Sequence, residues 1–256
     1  MRALNIHLGA VYAFLYLPIA VLMVLSLNKS GLPTAWGGFS LEWYGKLAAN
    51  PKITGAAWNS IIVAVWSTLI ATALGTTLAL GVERARPSAA REALLFAPMI
   101  IPDIVLAIAL LSFFTLVKFT LGLHSIIMAH VVFNIAFVCA VVRARLKSYD
   151  WSLNEASRDL GASALVTFWR ITFPLIAPAV IAAALLAFTL SIDEFIIAYF
   201  TAGAGQSSTT LPMQIYAMIR FGVTPEINAM ASIVMAVSFV MVFAAQRLNR
   251  GRIPGA

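Results

Sequence analysis

Residues 155–174 read EASRDLGASALVTFWRITFP, a polar, charged segment set between stretches apolar enough to cross a membrane. Ser152 followed three positions later by Glu155 has the capping-box spacing, so a short helix is expected to begin near Leu153. Gly161 suits the left-handed residue that closes a helix, and residues 164–172 have room for a second helix ended by Pro174. The expected product is a helix, a turn and a helix. Such a rigid knob can pass force from a membrane protein to a soluble partner. An amphipathic loop resting on lipid through Arg158, Trp169 and Arg170 is the plainer reading of the same residues.

The spacing resembles the cytoplasmic loop motif of ABC importer permeases: Glu-Ala-Ala, three residues, Gly, nine residues, Ile-x-Leu-Pro. Here the matching positions are Glu155, Ala156, Ser157, Gly161, Ile171 and Pro174, with Ser157 in place of Ala and Phe173 in place of Leu. The resemblance implies that these six residues couple the chain to an ATPase, through a cytoplasmic loop over residues 143–173 with Pro174 directly after it.

Composition bears on the class. With 61% hydrophobic and 11% charged residues and a mean hydropathy of +0.93, the 256-residue chain has too little polar surface to cover a soluble globule. A bilayer-spanning helix needs about 20 apolar residues. Six stretches qualify: 8–27, 58–81, 93–117, 121–142, 174–199 and 227–246. The expectation is an all-α membrane protein with six transmembrane helices, in a single domain covering 1–256. The first stretch is longer than a cleavable signal core of about 7 to 15 residues, and Ser26-Leu27-Asn28 is no clean cleavage site, so it should remain as an anchor.

Orientation follows from Lys and Arg. A cytoplasmic N-terminus puts twelve of the seventeen basic residues inside, among them Arg84, Arg86, Arg91, Arg143, Arg145, Lys147, Arg158 and Arg170. Lys29, Lys46, Lys52, Lys118 and Arg220 then lie outside. Both termini and the motif loop are expected in the cytoplasm. The net charge of +7 is accounted for by this asymmetry and by anionic lipid, without nucleic acid.

Two connecting segments stand out. Between residues 28 and 57, Leu41, Trp43, Tyr44 and Leu47 could lay an amphipathic turn on the outer interface as an anchor. Residues 201–225 open with TAGAGQSSTT and end in Thr224-Pro225, a cap followed by Pro at the first helical position. That segment reads equally as a contact for an external binding protein or as a solvated loop. Cys139 has no partner cysteine and reads as a core residue.

The chain has no phosphate-binding Gly-x-x-x-x-Gly-Lys-Ser/Thr, so it cannot itself be the ATPase. No Cys/His spacing suits a metal and no nucleophile motif suits catalysis, so neither metal nor catalytic residues are assigned. His130 and Asn134, one helical turn apart, read as a polar helix-to-helix contact. The carboxylates inside the apolar runs are the remaining clue. Asp103, after Pro98 and Pro102, is expected near mid-bilayer in the third span, where burial costs roughly 2.5 to 3.5 kcal/mol. Asp193 and Glu194 lie late in the fifth span. Being about 100° apart on a helix, they cannot both face one axis.

Pro102-Asp103-Ile104-Val105, the run ending at Asp193-Glu194, Leu211-Pro212 and the segment from Gly222 to Ala229 are similar to the spermidine/putrescine importer permeases of the second-permease type. The similarity covers nearly the whole chain. It implies a type I ABC importer permease fold in a bacterial inner membrane. It also implies, as partners, a second related permease, two copies of a cytoplasmic ATPase that holds ATP and Mg, and a periplasmic solute-binding protein. The implied cargo is a small organic cation, a polyamine above all, on a pathway of Asp103, Asp193, Glu194, Phe195 and Tyr199. Another small organic solute, amino-acid-like or opine-like, is the alternative cargo. A stand-alone secondary transporter would use such carboxylates too, but has no reason for the knob.

Overall fold

The computed structural model describes residues 2–31, 35–86, 88–205, 207–220, 222 and 224–250, without the side chains of 2–4, 238 and 240–250. Among the described residues the regular structure is helical. In chain order the helices are α1 (Arg2–Leu25), α2 (Glu42–Ala49), α3 (Pro51–Arg84), α4 (Ala89–Ile100), α5 (Asp103–Leu116) and α6 (Leu123–Leu146). They continue with α7 (Ser152–Asp159), α8 (Ala164–Thr167), α9 (Phe173–Asp193), α10 (Ile196–Thr201), α11 (Leu211–Ile219) and α12 (Pro225–Arg250). By length and apolarity α1, α3, α6 and the run from α8 through α9 can each cross a membrane, and the α4–α5 pair counts as a fifth span if taken together. The expected last span falls within α12, whose described apolar part is Pro225–Val237. The Thr224-Pro225 start signal holds, since α12 begins at Pro225.

Two of the expected spans are not continuous. The third bends by 104° between α4 and α5. Pro98 stays inside α4, while the ladder stops at Ile101, which is extended (φ −68°, ψ 132°) as residues before proline prefer, and Pro102 has no N–H to carry it on. Asp103 therefore opens a helix and does not sit within one. The fifth span ends its first helix at Asp193, passes through non-helical Glu194 (φ −70°, ψ 118°) and resumes as the short α10.

The contacts divide the chain into two units, residues 55–213 and residues 1–54 with 214–256. In the first, α6 packs along α9, α4 packs on α6, and α5 packs on α10. Lipid removes the hydrophobic drive for helix association, so close approach of small residues has to hold the helices together. Ala71, Gly75 and Ala79 on α3 and Ala183 and Ala187 on α9 are buried and supply it. At Gly75 a Cβ would lie 2.7 Å from the Val138 Cβ. Val138, Cys139, Val142 and Leu146 of α6 complete this core, which confirms Cys139 as a packing residue. A second core joins Leu106, Ala107, Leu110 and Phe114 of α5 to Ala129 and Phe133 of α6 and Ile197 of α10.

In the same unit the segment that opens with Thr201 is tied down and is not a loose solvated loop. Asn59 Nδ2 donates to the carbonyls of Ser207 (3.0 Å) and Thr209 (2.9 Å), the Leu211 N–H to Ser60 Oγ (2.8 Å), and Ser125 Oγ to the Thr201 carbonyl (2.6 Å). Gly203, at φ +74°, passes so close to Leu121 that a Cβ would stand 2.7 Å from the leucine's.

In the other unit α12 packs on α1 and α2. The apolar side chains of α1, such as Phe14 and Leu17, remain exposed for lipid. The segment after α1 folds around buried Asn28. Its Oδ1 accepts from the N–H groups of Ser30 and Gly37, and its Nδ2 donates to the Ala35 carbonyl. The expected aromatic anchor is corrected here. Trp43 Nε1 donates to the Asn28 carbonyl (2.8 Å), Tyr44 Oη shares a hydrogen bond with Ser26 Oγ (2.7 Å) and Leu47 is buried. Of the four anchor residues Leu41 keeps its apolar side chain exposed.

Candidate functional site

The motif segment forms the expected knob, with two local corrections. The helix begins at Ser152, and the capping box with Glu155 is replaced by Asp150, whose Oδ1 accepts the Ser152 N–H at 3.0 Å. That same Ser152, through its side chain and then its backbone, holds the Asp150 carboxyl below its ordinary value. The turn is as expected: Gly161 has φ +85°, its N–H reaches the Arg158 carbonyl (2.8 Å), and the Ala162 N–H reaches that of Ser157 (3.1 Å). This is the paired closure that a left-handed glycine permits. Pro174, finally, does not end the second helix. α8 runs through a π-helical turn, Phe168–Thr172, into α9, so the chain stays helical across Pro174, whose missing N–H falls directly after the widened turn.

Hydrogen bonds make the knob one body. Tyr149 Oη donates to Asn154 Oδ1, Asn154 Nδ2 donates to Thr172 Oγ1 (3.1 Å), and the Ser157 and Thr167 hydroxyls are 3.0 Å apart. Both departures from the motif thus gain contacts: Ser157 bonds to Thr167, and the Phe173 ring packs edge-on against Trp169 at 5.2 Å. Ser157 is buried and Ile171 half-buried. Glu155, Ala156, Gly161 and Pro174 are exposed, as is Leu160 at the tip, at 89%. A recess of about 210 Å³ beside α7 is lined by Arg84, Trp151, Asn154, Glu155 and Arg158.

The carboxylates gather at the two helix breaks. Asp103 opens α5, where a negative charge suits the helix start. Asp193 ends α9 and is exposed. Glu194 is half-buried, and its Oε1 accepts the Ile197 N–H at 2.9 Å, capping α10. α5 and α10 pack together, so the breaks bring Asp103 and Glu194 into one neighbourhood although they are far apart in sequence. Phe195, next to Glu194 in the chain, and Tyr199 have ring centres 5.4 Å apart, whereas Phe200 packs against the α5–α6 core.

The last turn of α9 is fixed by a polar chain across three helices. His130 Nδ1 on α6 is 2.7 Å from Ser191 Oγ on α9, which is 2.9 Å from Ser67 Oγ on α3. The helix-to-helix reading holds for His130, which reaches Ser191, whereas the buried Asn134 side chain makes no hydrogen bond among the described residues. Ser67 and Ser191 were not foreseen, because serines in an apolar run carry no spacing signal. The same is true of Arg143, which meets Glu92 and Glu83. Among the described residues no His, Cys, Asp and Glu group could hold a metal ion.

Over residues 71–253 the sequence matches the family described as binding-protein-dependent transport system inner membrane component. It is 41% identical over 248 residues to the Escherichia coli spermidine/putrescine transport system permease protein PotC, covering 96% of this chain and 93% of that one. It is 37% identical over 255 residues to the putrescine transport system permease protein PotI of the same organism, covering 94% and 90%. The fold matches a chain of a bacterial ABC transporter involved in the import of the acidic polysaccharide alginate, with a TM-score of 0.78 at 17% identity over 99% of this chain and 96% of that one. The chain belongs to the binding-protein-dependent transport system inner membrane component family. It is a membrane permease with the ABC importer permease fold.

Proposed function

We propose that this permease moves a small organic cation of the polyamine class inward, together with a second permease, a cytoplasmic ATPase dimer that holds ATP and Mg, and a periplasmic solute-binding protein. The observation that carries the cargo is the 41% identity, over 96% of the chain, to a permease named for spermidine and putrescine. The carboxylates at the helix breaks are its chemical support. Asp103 and Asp193 offer negative charge, and Tyr199, half exposed, offers a ring face to an ammonium group. Glu194, engaged by the Ile197 N–H, holds the break and leaves Asp193 to meet the cargo.

The motif loop and both termini lie in the cytoplasm in this reading, supported by the twelve-to-five split of basic residues. Glu155, Ala156 and Gly161 meet the ATPase. Ser157, Ile171 and Pro174 shape the knob from behind. ATPase closure pushes α7 and opens the pathway outward. The test is uptake of labelled putrescine and spermidine by the complete importer in liposomes. Saturable, ATP-dependent uptake supports the reading, and transport of an anion or neutral sugar with neither polyamine would overturn the cargo.

A further inference from the structure

Arg143 lies three residues before the end of α6, with its side chain 12% exposed. Its guanidinium grips Glu92 of α4 with two hydrogen bonds, Nη1 to Oε2 at 2.8 Å and Nη2 to Oε1 at 2.7 Å. Nε reaches Glu83 of α3 at 3.5 Å, and the Phe96 ring centre lies 5.8 Å from the guanidinium. One cation thus joins three helices. Its planar fork matches a carboxylate in a way that a lysine ammonium cannot.

The helix it holds needs holding. None of the residues of α4 is buried, whereas α5 beyond the bend contributes four residues to a buried core. Between them stands the Ile101–Pro102 joint, where no helical ladder resists rotation. Behind Arg143 the chain stays ordered into the knob: the N–H groups of Lys147, Ser148 and Tyr149 bond back to α6 carbonyls, and Tyr149 bonds to Asn154.

We propose that the Arg143–Glu92 fork is a clasp that makes α4 travel as one body with the end of α6 and the motif knob, turning about the Ile101–Pro102 joint. Arg143 and Glu92 are then positioning residues that keep α4 with the knob as far as the joint that precedes Asp103. The proposal rests on the reading of the knob as the place where the ATPase acts.

The test is the complete importer in liposomes, with putrescine taken up per ATP hydrolysed as the readout. Glu92→Gln should assemble normally and lower that ratio by about tenfold, the bias that one charge-assisted bond gives a two-state equilibrium. Arg143→Lys should also lower it. The Glu92→Gln/Arg143→Gln pair should be no worse than the poorer single variant, as for residues acting as a unit. An unchanged ratio in Glu92→Gln, a wild-type ratio in Arg143→Lys, or losses that multiply would overturn the clasp.

A second measurement does not depend on cargo or on Arg143 variants folding. Nitroxide labels at exposed Ala90 and Ser148, in a Cys139→Ala background, report the distance between α4 and the turn before α7. It should be the same with and without ATP and should broaden in Glu92→Gln. A distance that changes with ATP in the otherwise native protein overturns the proposal. If these results hold while Gly161→Trp leaves transport untouched, the knob reading fails and the clasp stands.

Discussion

Arg84, the last residue of α3, places its guanidinium 5.1 Å from the centre of the Trp151 ring, on the residue that leads into α7. Helix α3 and the knob are therefore stacked directly, besides being joined through α6. A cation over an indole face contributes about 0.5–2 kcal/mol, so Arg84→Gln should lower uptake about two- to thirtyfold. Arg84→Lys, which still offers a cation, should lose less. Equal losses for Gln and Lys, in initial rates on liposomes, would show that the stack does not depend on charge.

Gly161 has a left-handed backbone, yet a Cβ there would meet nothing within 4 Å. Gly161→Ala thus bears the backbone cost alone, about 1–2 kcal/mol, and should retain most transport. Gly161→Trp adds bulk to the outward face and should separate ATP hydrolysis from uptake while the complex still assembles. Normal transport by the Trp variant, measured beside its ATPase rate, would remove the knob's outer face from the contact.

The three carboxylates should respond differently to neutralisation. Asp193→Asn removes charge that has no capping role and Asp103→Asn removes one that also suits the start of α5; both should raise the putrescine concentration for half-maximal uptake, with basal ATP hydrolysis retained. Glu194→Gln keeps an oxygen for the Ile197 N–H and should change little. Glu194→Ala loses the cap, at about 0.5–2 kcal/mol, and should lower stability as well. A titration in which Glu194→Gln alone shifts half-saturation would reverse the assignment of Asp193 and Glu194.

Gly75 is a packing requirement, since the nearest Val138 carbons would stand 2.7 Å from its Cβ. Gly75→Ala should destabilise by about 1–3 kcal/mol, seen as a lower melting temperature of the purified complex. Adding Val138→Ala removes the Cγ1 methyl at 2.7 Å but leaves the Val138 Cβ at the same distance, so it should recover only a small part of the loss. A melting temperature unchanged by Gly75→Ala would mean that α3 and α6 separate readily.

The knob was legible because its signals are local: Gly161 closes α7 by its own backbone freedom, whatever surrounds it. The helix breaks were not. Pro98 and Pro102 look alike in sequence, and Pro102 becomes the joint because α5 turns away to pack on α10 and α6. The break after Asp193 carries no proline or glycine. It depends on Ser191, held by residues 61 and 124 positions earlier, and on the Glu194 cap. Amphipathic spacing likewise placed Trp43 and Tyr44 on an outer face. Their polar atoms are drawn instead to the Asn28 carbonyl and Ser26 Oγ, partners 15 and 18 positions back.

The Ser67–Ser191 hydrogen bond spans 124 positions. At a synthesis rate of about 5–20 residues per second, α3 emerges roughly 6–25 s before the helix that carries its partner. During that interval the Ser67 hydroxyl would face hydrocarbon with its donor unused. It has an acceptor on its own helix, the Ala64 carbonyl 3.3 Å away in the folded chain, a back-bond that needs no later segment and that Ser and Thr residues in helices can form. The folds around Asn28 and Tyr44 close over no more than 18 positions and need no such delay. The local bonds after α1 can therefore close early, although α2 still waits for α12 to pack on it, and the Ser67–Ser191 bond has to wait for α9.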